Sequence, residues 1–380
     1  MTTTLGIDDA LLEARDGAWT AREIAQQPRV WGEVIAGAAD AGLAAFVARQ
    51  LATPQLRILL TGAGTSAFIG ESLAPAIARH TRARVDAVPT TDLVAGPARY
   101  FQREAPTLMV HFARSGNSPE STAAVDLADA VLTDCRHLVI TCNPDGALAA
   151  AARVRPAARL VVLPDRTNDR SFAMTSSFTT MLLVAARVFG VVGEAPVAAG
   201  VDAVRRGDGV AHALVAQGFD RIVYLGSNTL QGLAREAALK MLELTDGEVI
   251  ALHESPLGFR HGPKTIVNER TLVVMFLSND PAVRAYDLDL LRELRKDGRA
   301  RRVYAIAGQA GDAQDGIDFV VDHLAGASEL QTVAPFAAVA QLLALHRSAS
   351  LGLTPDQPSR SGTVNRVVRG VVIHPLASEA

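Results

Sequence analysis

The stretch that decides the fold is Arg57-Ile58-Leu59-Leu60-Thr61-Gly62-Ala63-Gly64-Thr65-Ser66, continued by AFIGESLAPAIARH to residue 80. A short apolar run meets two glycines and is followed by a helix-length segment whose apolar residues recur at helical spacing. This is a strand, a tight turn and a helix, the opening unit of a parallel sheet. Downstream, RVDAV (84–88), TLMVHFA (107–113), HLVITC (137–142) and RLVVLP (159–164) are further strand-like runs, with helix-length segments between most of them. Strands that are apolar almost throughout require helices on both faces of the sheet.

The alternation then repeats in RIVYLGS (221–227), VIALHES (249–255), LVVMFLS (272–278), RVYAIAG (302–308) and FVVDH (319–323). An amphipathic stretch near 196–216 joins the two halves, and GVVGEAPVAAG (190–200) is rich in small residues, which places the boundary near 195–205. The expected architecture is α/β with two doubly wound parallel-sheet units of roughly 150 residues each, a usual domain size. A helical arm (1–45) precedes a first domain (46–200), a second domain (201–352) and a tail (353–380). Within the arm, AREIAQQPRVW (21–31) predicts a helix broken near Pro28, where the ring removes a donor and clashes with the preceding turn.

Composition narrows the function. The 380 residues are 49% hydrophobic, 20% charged and 5% aromatic, too apolar for a disordered chain. Thirty-seven basic against 40 acidic residues leave a net charge of −3 and no long block of one sign, so neither nucleic acid nor a lipid surface is an expected partner. Cys135 and Cys142 cannot build a disulfide framework, and the N-terminus lacks a basic start followed by an apolar run. A soluble, cytoplasmic protein is expected. Only Lys240, Lys264 and Lys296 are lysines, so each lysine position invites a question.

In parallel α/β sheets ligands sit at the carboxyl ends of the strands. The Gly62–Ser66 loop offers free amides and two hydroxyls to an anion at a helix start. Gly62, Gly64 and Ala67 also satisfy a dinucleotide pattern in which Asp86 would hold a ribose, and a tight turn without ligand is the blander alternative. A second loop, Arg114-Ser115-Gly116-Asn117-Ser118-Pro119, opens another helix, and a dinucleotide fold does not require it. Ser115, Asn117 and Ser118 are neutral donors suited to a phosphate monoester that must later leave, although Ser118 as a plain helix cap explains part of the pattern. In TNDRSFAMTSSFT (167–179), Thr175 and Ser176 are candidate sugar contacts, with capping as the alternative.

In the second half, Glu236, Lys240 and Glu243 fall on one stripe of a helix. A solvated, salt-bridged face is the ordinary reading, but the apolar neighbours Leu233, Ala237, Ala238, Leu239, Met241 and Leu242 favour a cleft where a carboxylate serves as a proton-transfer base. His261, between turn formers in SPLGFRHGPK (255–264), sits on a fixed exposed loop and suits a group that gives and takes a proton, whereas His253 on an apolar run is structural. No G-x-S-x-G elbow and no zinc spacing occur.

Taken together, AREIAQQP, GAGTS, SGNSPES, FAMTSSFT, EAALKMLELTDGEVIALHESPLGFRHGPK and PDQP resemble the double sugar isomerase (SIS) family, in which two flavodoxin-like subdomains bind phosphosugars. The pattern is similar to the isomerase half of glucosamine-6-phosphate synthase, and most of all to the galactosamine-6-phosphate deaminase/isomerase (AgaS) group. The resemblance implies that Ser66, Ser115 and Ser118 bind phosphate, bordered by Thr65, Arg114 and Asn117. It implies that Glu243 moves a proton between C1 and C2 beside Lys240 and Glu236, and that His261 opens the sugar ring from the partner subunit of a homodimer or higher homo-oligomer. No metal or redox cofactor is implied. Ala113 stands where the family has a serine, no amidotransferase domain precedes residue 22, and the tail carries no lysine where the synthase has its sugar-binding amine. The expected activity is an isomerising deamination of an amino-sugar 6-phosphate, galactosamine 6-phosphate first. Simple phosphosugar isomerisation, deglycation of a fructosamine 6-phosphate and non-catalytic phosphosugar binding are the alternatives.

Overall fold

The computed structural model describes residues 3–38, 40–368 and 370–375. A short antiparallel pair, β1 (Thr3–Thr4) and β2 (Ile7–Asp8), leads into α1 (Asp9–Ala14), α2 (Ala18–Gly37) and α3 (Ala41–Leu51). The first subdomain runs β3 (Arg57–Thr61), α4 (Thr65–Thr81), β4 (Arg84–Ala87), α5 (Thr90–Ala95), α6 (Pro97–Tyr100), β5 (Thr107–Ala113), α7 (Pro119–Val131), β6 (Cys135–Thr141), α8 (Ala147–Arg153), β7 (Ala158–Val162) and α9 (Ser176–Val188). Helix α10 (Val197–Ala216) crosses to β8 (Arg221–Gly226), α11 (Thr229–Leu244), β9 (Ile250–Glu254), α12 (Pro256–Phe259), β10 (Thr271–Phe276), α13 (Pro281–Asp297), β11 (Arg302–Ala307), β12 (Phe319–Val320) and α14 (Glu329–Ser350).

Each sheet has five parallel strands, ordered β4-β3-β5-β6-β7 and β12-β11-β10-β8-β9. Both have the flavodoxin-like order, so each has a switch point between its first and third strands, where ligands of such sheets bind. Pairing runs from Arg57↔Thr107 to Thr61↔His111 in one sheet and from Arg221↔Thr271 to Gly226↔Phe276 in the other, which brings the two loops at each switch point side by side. Strands β3, β5 and β10 are buried throughout, as a sheet covered on both faces demands. Helix α11 packs on α4 and α14 between the sheets, and its buried Leu233, Ala237 and Met241 belong to the main core with Ile69 and Leu73 of α4.

Helix α2 is continuous through Pro28, where the sequence predicts a break. The proline leaves the Ile24 carbonyl without its amide partner, and Gln27 Nε2 donates to that oxygen instead at 3.2 Å. The N-terminal helices are fastened to the body: Trp31 is fully buried and donates from Nε1 to Thr179 Oγ1 of α9 at 2.9 Å. A Cβ at Gly200 would stand 2.2 Å from the Trp31 ring, so α10 can cross there only at a glycine. Among the described residues no single helix is long and apolar enough to cross a membrane.

Candidate active site

The turn after β3 is built by its glycines. A Cβ at Gly62 would lie 2.6 Å from the backbone of Ser66, and Gly64 holds φ 55° and ψ −129° just before the first turn of α4. Thr65 and Ser66 follow, both almost fully buried, with Ser66 Oγ 3.9 Å from Met174 Sδ. Beside this turn, the loop after β5 is set by Gly116 at φ 64° and by the Ser115 carbonyl, which accepts from Asn143 Nδ2 at 2.8 Å. Asn117 is exposed and its Oδ1 accepts from the Ala147 amide at 2.9 Å, fixing the loop to α8. Ser118 occupies the cap position of α7, yet its hydroxyl bonds to Ser121 Oγ at 2.6 Å and caps no helix amide. Ala113 buries its methyl among Val125, Val139 and Leu148.

Onto these hydroxyls the second subdomain brings α11. Lys240, 1% exposed, donates from Nζ to Thr65 Oγ1 at 3.0 Å and to Glu243 Oε2, and lies 3.5 Å from Glu236 Oε1. The stripe therefore faces the first subdomain's switch point, and Lys240 ties the acid to the turn. Burial, opposed by Lys240 and reinforced by Glu243, pushes the Glu236 carboxyl up to about 8. Burial pulls the Lys240 ammonium down, but the two carboxylates more than offset it and hold it above its ordinary value. One ammonium cannot fully serve both acids. Glu236, 1% exposed and without a well-formed hydrogen bond, is the acid whose burial favours the protonated form, while Lys240 Nζ donates to Glu243 Oε2.

Three expected contacts are engaged within the chain itself. Arg114 is nearly buried and donates to the carbonyls of Phe172 (3.0 Å), Ser171 (3.4 Å) and Arg366 (2.7 Å), which ties the loop to the tail, while its charge acts on Lys240 and Glu243. Burial, with Arg366 nearby, lowers its pKa to about 10, against the opposing pull of Asp169 and Glu243. Thr175 and Ser176 are fully buried at the start of α9, where their amides and that of Ser177 donate to the Asp169 carboxylate at 2.8, 3.1 and 2.9 Å. Ser176 Oγ donates to the Glu23 carbonyl and Thr175 Oγ1 to Asp169 Oδ1, so neither hydroxyl caps a helix amide and Asp169 does so in their place. Asp86, the ribose candidate of the dinucleotide alternative, is paired with Arg57 (2.6 Å) and Arg84 (3.1 Å).

His261 is exposed after α12 and makes no side-chain hydrogen bond to the α11 stripe or to the hydroxyl loops of its own chain. Sequence reasoning missed Arg366. This tail arginine donates from Nε to the Asp169 carbonyl at 2.9 Å and to Ser171 O at 3.2 Å, while its own carbonyl receives Arg114. An arginine in a tail without lysines was the available signal. Cys135 and Cys142 are buried free thiols, both pushed up to about 12 chiefly by burial. Among the described residues no three His, Cys, Asp or Glu side chains are grouped to hold a metal ion.

Two flavodoxin-like subdomains, with a hydroxyl-lined turn at the switch point of one and a Glu-Lys-Glu helix supplied by the other, define a double SIS-domain protein. Residues 50–189 match the SIS domain family. A relative from Streptomyces coelicolor that bears the AgaS name is 48% identical over 99% of this chain and 100% of its own length. The D-galactosamine-6-phosphate deaminase AgaS of Escherichia coli is 46% identical over 95% of this chain and 97% of its own. The crystal structure of tagatose-6-phosphate ketose/aldose isomerase from Escherichia coli superposes with a TM-score of 0.85 at 43% identity, covering 95% of this chain and 98% of that one. The chain belongs to the AgaS family of SIS-domain proteins.

Proposed function

We propose that the protein is an isomerising deaminase that converts galactosamine 6-phosphate to tagatose 6-phosphate and ammonia. The observation that carries this reading is Lys240, whose ammonium joins Thr65 of the first switch point to Glu243 of the second subdomain. A base is thereby held next to hydroxyls suited to a phosphate, and the reacting carbons lie between. Ser66, Ser115 and Ser118 hold the phosphate, with Thr65 and Asn117 at its border. The ring opens with His261 of a partner protomer as proton donor and acceptor, in a cytoplasmic homodimer. Glu243 then takes the C2 proton of the open-chain aldehyde, O1 gains a proton, and an enolamine forms. Return of the proton to C1 gives a ketimine at C2; water adds there and ammonia leaves, which makes the C2 ketone. Lys240 stays charged beside Glu243 and offsets the negative charge that develops toward O1. Phosphate binding supplies interaction energy remote from C1 and C2.

The name of the structural neighbour favours a second reading, ketose/aldose isomerisation without loss of nitrogen. A panel of 6-phosphates of galactosamine and glucosamine, scored for ammonium and ketose together, separates the two. Ammonium released with ketose from the galacto substrate supports the deaminase; ketose without ammonium overturns it. Glu243→Gln lowers kcat by about 10² to 10⁴-fold while the affinity for tagatose 6-phosphate holds. Unchanged turnover removes Glu243 from the chemistry.

A further inference from the structure

The two halves repeat more closely in three dimensions than in sequence. Residues 57–82 and 221–246 run in register without a gap. Gly62 and Gly226 close β3 and β8, and a Cβ at Gly226 would lie 2.4 Å from the Leu230 carbonyl oxygen, the counterpart of the clash at Gly62. Gly64 holds φ 55° and ψ −129°, and Asn228 holds φ 50° and ψ −119°. Both helices end in a left-handed residue, Arg82 at φ 59° and Asp246 at φ 47°. Asn228 keeps the turn despite its side chain, in a region that costs a non-glycine residue energy.

At this second turn lies a cavity of about 750 Å³, lined by Asn228, Thr229, Asn279, Arg79, His80 and Arg82 among others. In register, Thr229 stands for Thr65, while Ser72, Ala76 and Arg79 stand for Glu236, Lys240 and Glu243. The cavity thus repeats the first site's plan with a guanidinium where that site has its carboxylate. Arg79 and Arg82 are exposed and make no ion pair within 4.0 Å among the described residues. Two acids also line the cavity: Asp280 caps α13 through the Ala282 amide at 2.9 Å, and Glu329 accepts from Ser278 Oγ and feels the positive charge of Arg79. Asn279 is about nine-tenths buried, anchored through Nδ2 to the Leu324 and Ala327 carbonyls, 2.9 Å each, and packed against Gly308, so it forms a fixed wall of the cavity.

We propose that this cavity is a second, non-catalytic binding site for a phosphorylated sugar or polyol. Arg79 and Arg82 take the phosphate, the Thr229 hydroxyl stands where Thr65 stands in the first site, and no carboxylate base stands in register to turn the ligand over.

The test is calorimetric titration with galactitol 6-phosphate, which has no carbonyl to react. The wild-type chain is compared with Arg79→Glu, the milder Arg79→Gln and the double variant Ser66→Ala/Ser115→Ala. Two equivalents per wild-type chain are expected, one in Arg79→Glu and one in the double variant, with at least a tenfold weaker second site in Arg79→Gln. Exposure of Arg79 lets these variants fold, and matching thermal melts check it. If Arg79→Glu binds as many equivalents as wild type, the cavity is not a site. If wild type binds one equivalent that only the double variant loses, the first site stands and this proposal falls. If wild type binds one that only Arg79→Glu loses, the cavity stands and the assignment of the first site falls.

Discussion

Glu236→Gln tests whether one buried ammonium leaves a protonated acid beside it. The carboxyl is 1% exposed, and its pKa is raised from 4.5 to about 8. Below pH 4.5 both folded and unfolded chains hold the proton. As pH rises from there the unfolded chain ionises first, so the folded state loses relative stability until its own carboxyl ionises near 8. At about 1.4 kcal/mol per pH unit, the interval from 4.5 to about 8 amounts to about 5 kcal/mol, and no solvent screening reduces it at this depth. Glutamine mimics the neutral acid and carries none of this penalty. In urea titrations the variant matches wild type within about 1 kcal/mol near pH 5 and exceeds it by up to about 5 kcal/mol near pH 9. The Lys240 shift lies above the ordinary lysine range and stays outside this window. Parallel stability curves from pH 5 to 9 would refute the placement of the proton on Glu236. Turnover adds a second reading: kcat within about tenfold of wild type makes Glu236 a positioning residue, unlike a general base, whose loss costs about 10² to 10⁴-fold.

Lys240→Met strips both acids of their shared cation and should cost about 3–5 kcal/mol in urea unfolding at pH 8, since one partner of a buried ion pair is left alone; pairing it with Glu236→Gln restores part of the loss. Glu23 is raised from 4.5 to about 7 by burial and then by Asp169, so Glu23→Gln should gain about 3 kcal/mol on wild type as pH rises from 4.5 through 7, and a pH-independent difference would count against the coupling. Asp356→Ala leaves the Trp19 amide, the Thr20 amide and Thr20 Oγ1 without their acceptor, and at about 1–3 kcal/mol for each buried donor the thermal midpoint should drop by several degrees; an unchanged midpoint would show that water replaces the carboxylate.

Strand and helix alternation was legible because parallel strands buried on both faces must be apolar along their whole length, as β5 is. Pro28 misled because the donor that rescues Ile24 is a neighbouring side chain, Gln27, which a rule about missing amides does not count. The segments that carry the family resemblance divide in a way that residue types alone conceal. GAGTS and SGNSPES build the switch-point turns, whereas AREIAQQP, FAMTSSFT and PDQP are structural ties. Glu23 receives the Arg170 and Ser171 amides, Asp169 receives three amides of α9, and Asp356 receives two of α2. A run of hydroxyls before a helix reads the same whether the anion at its amides is a ligand or the chain's own aspartate, and here Asp169 occupies that place. The partners of Arg114 were illegible for the same reason: a buried arginine next to a phosphate-type loop places donors on carbonyls that only the folded tail and the 171–172 turn bring near.

The α11 stripe was the harder inference, because three ionisable residues at helical spacing are ordinarily a solvated face. The apolar character of the remaining positions decided it. Leu233, Ala237 and Met241 are consumed by the main core, and Gly232 lets the helix approach α4 so closely that a Cβ there would meet Ser72 Oγ at 2.4 Å. With the helix pressed against α4, Glu236 and Lys240 have no route to solvent, and the ammonium can be satisfied only by the acids of its own helix and the Thr65 hydroxyl opposite. The close helix crossing therefore comes first and the geometry of the Glu-Lys-Glu stripe follows from it. Gly232→Ala, which touches no ionisable group, should separate α11 from α4, lengthen the Lys240–Thr65 contact and reduce kcat more than it raises KM. A variant that folds and turns over like wild type would show that the crossing does not set the site.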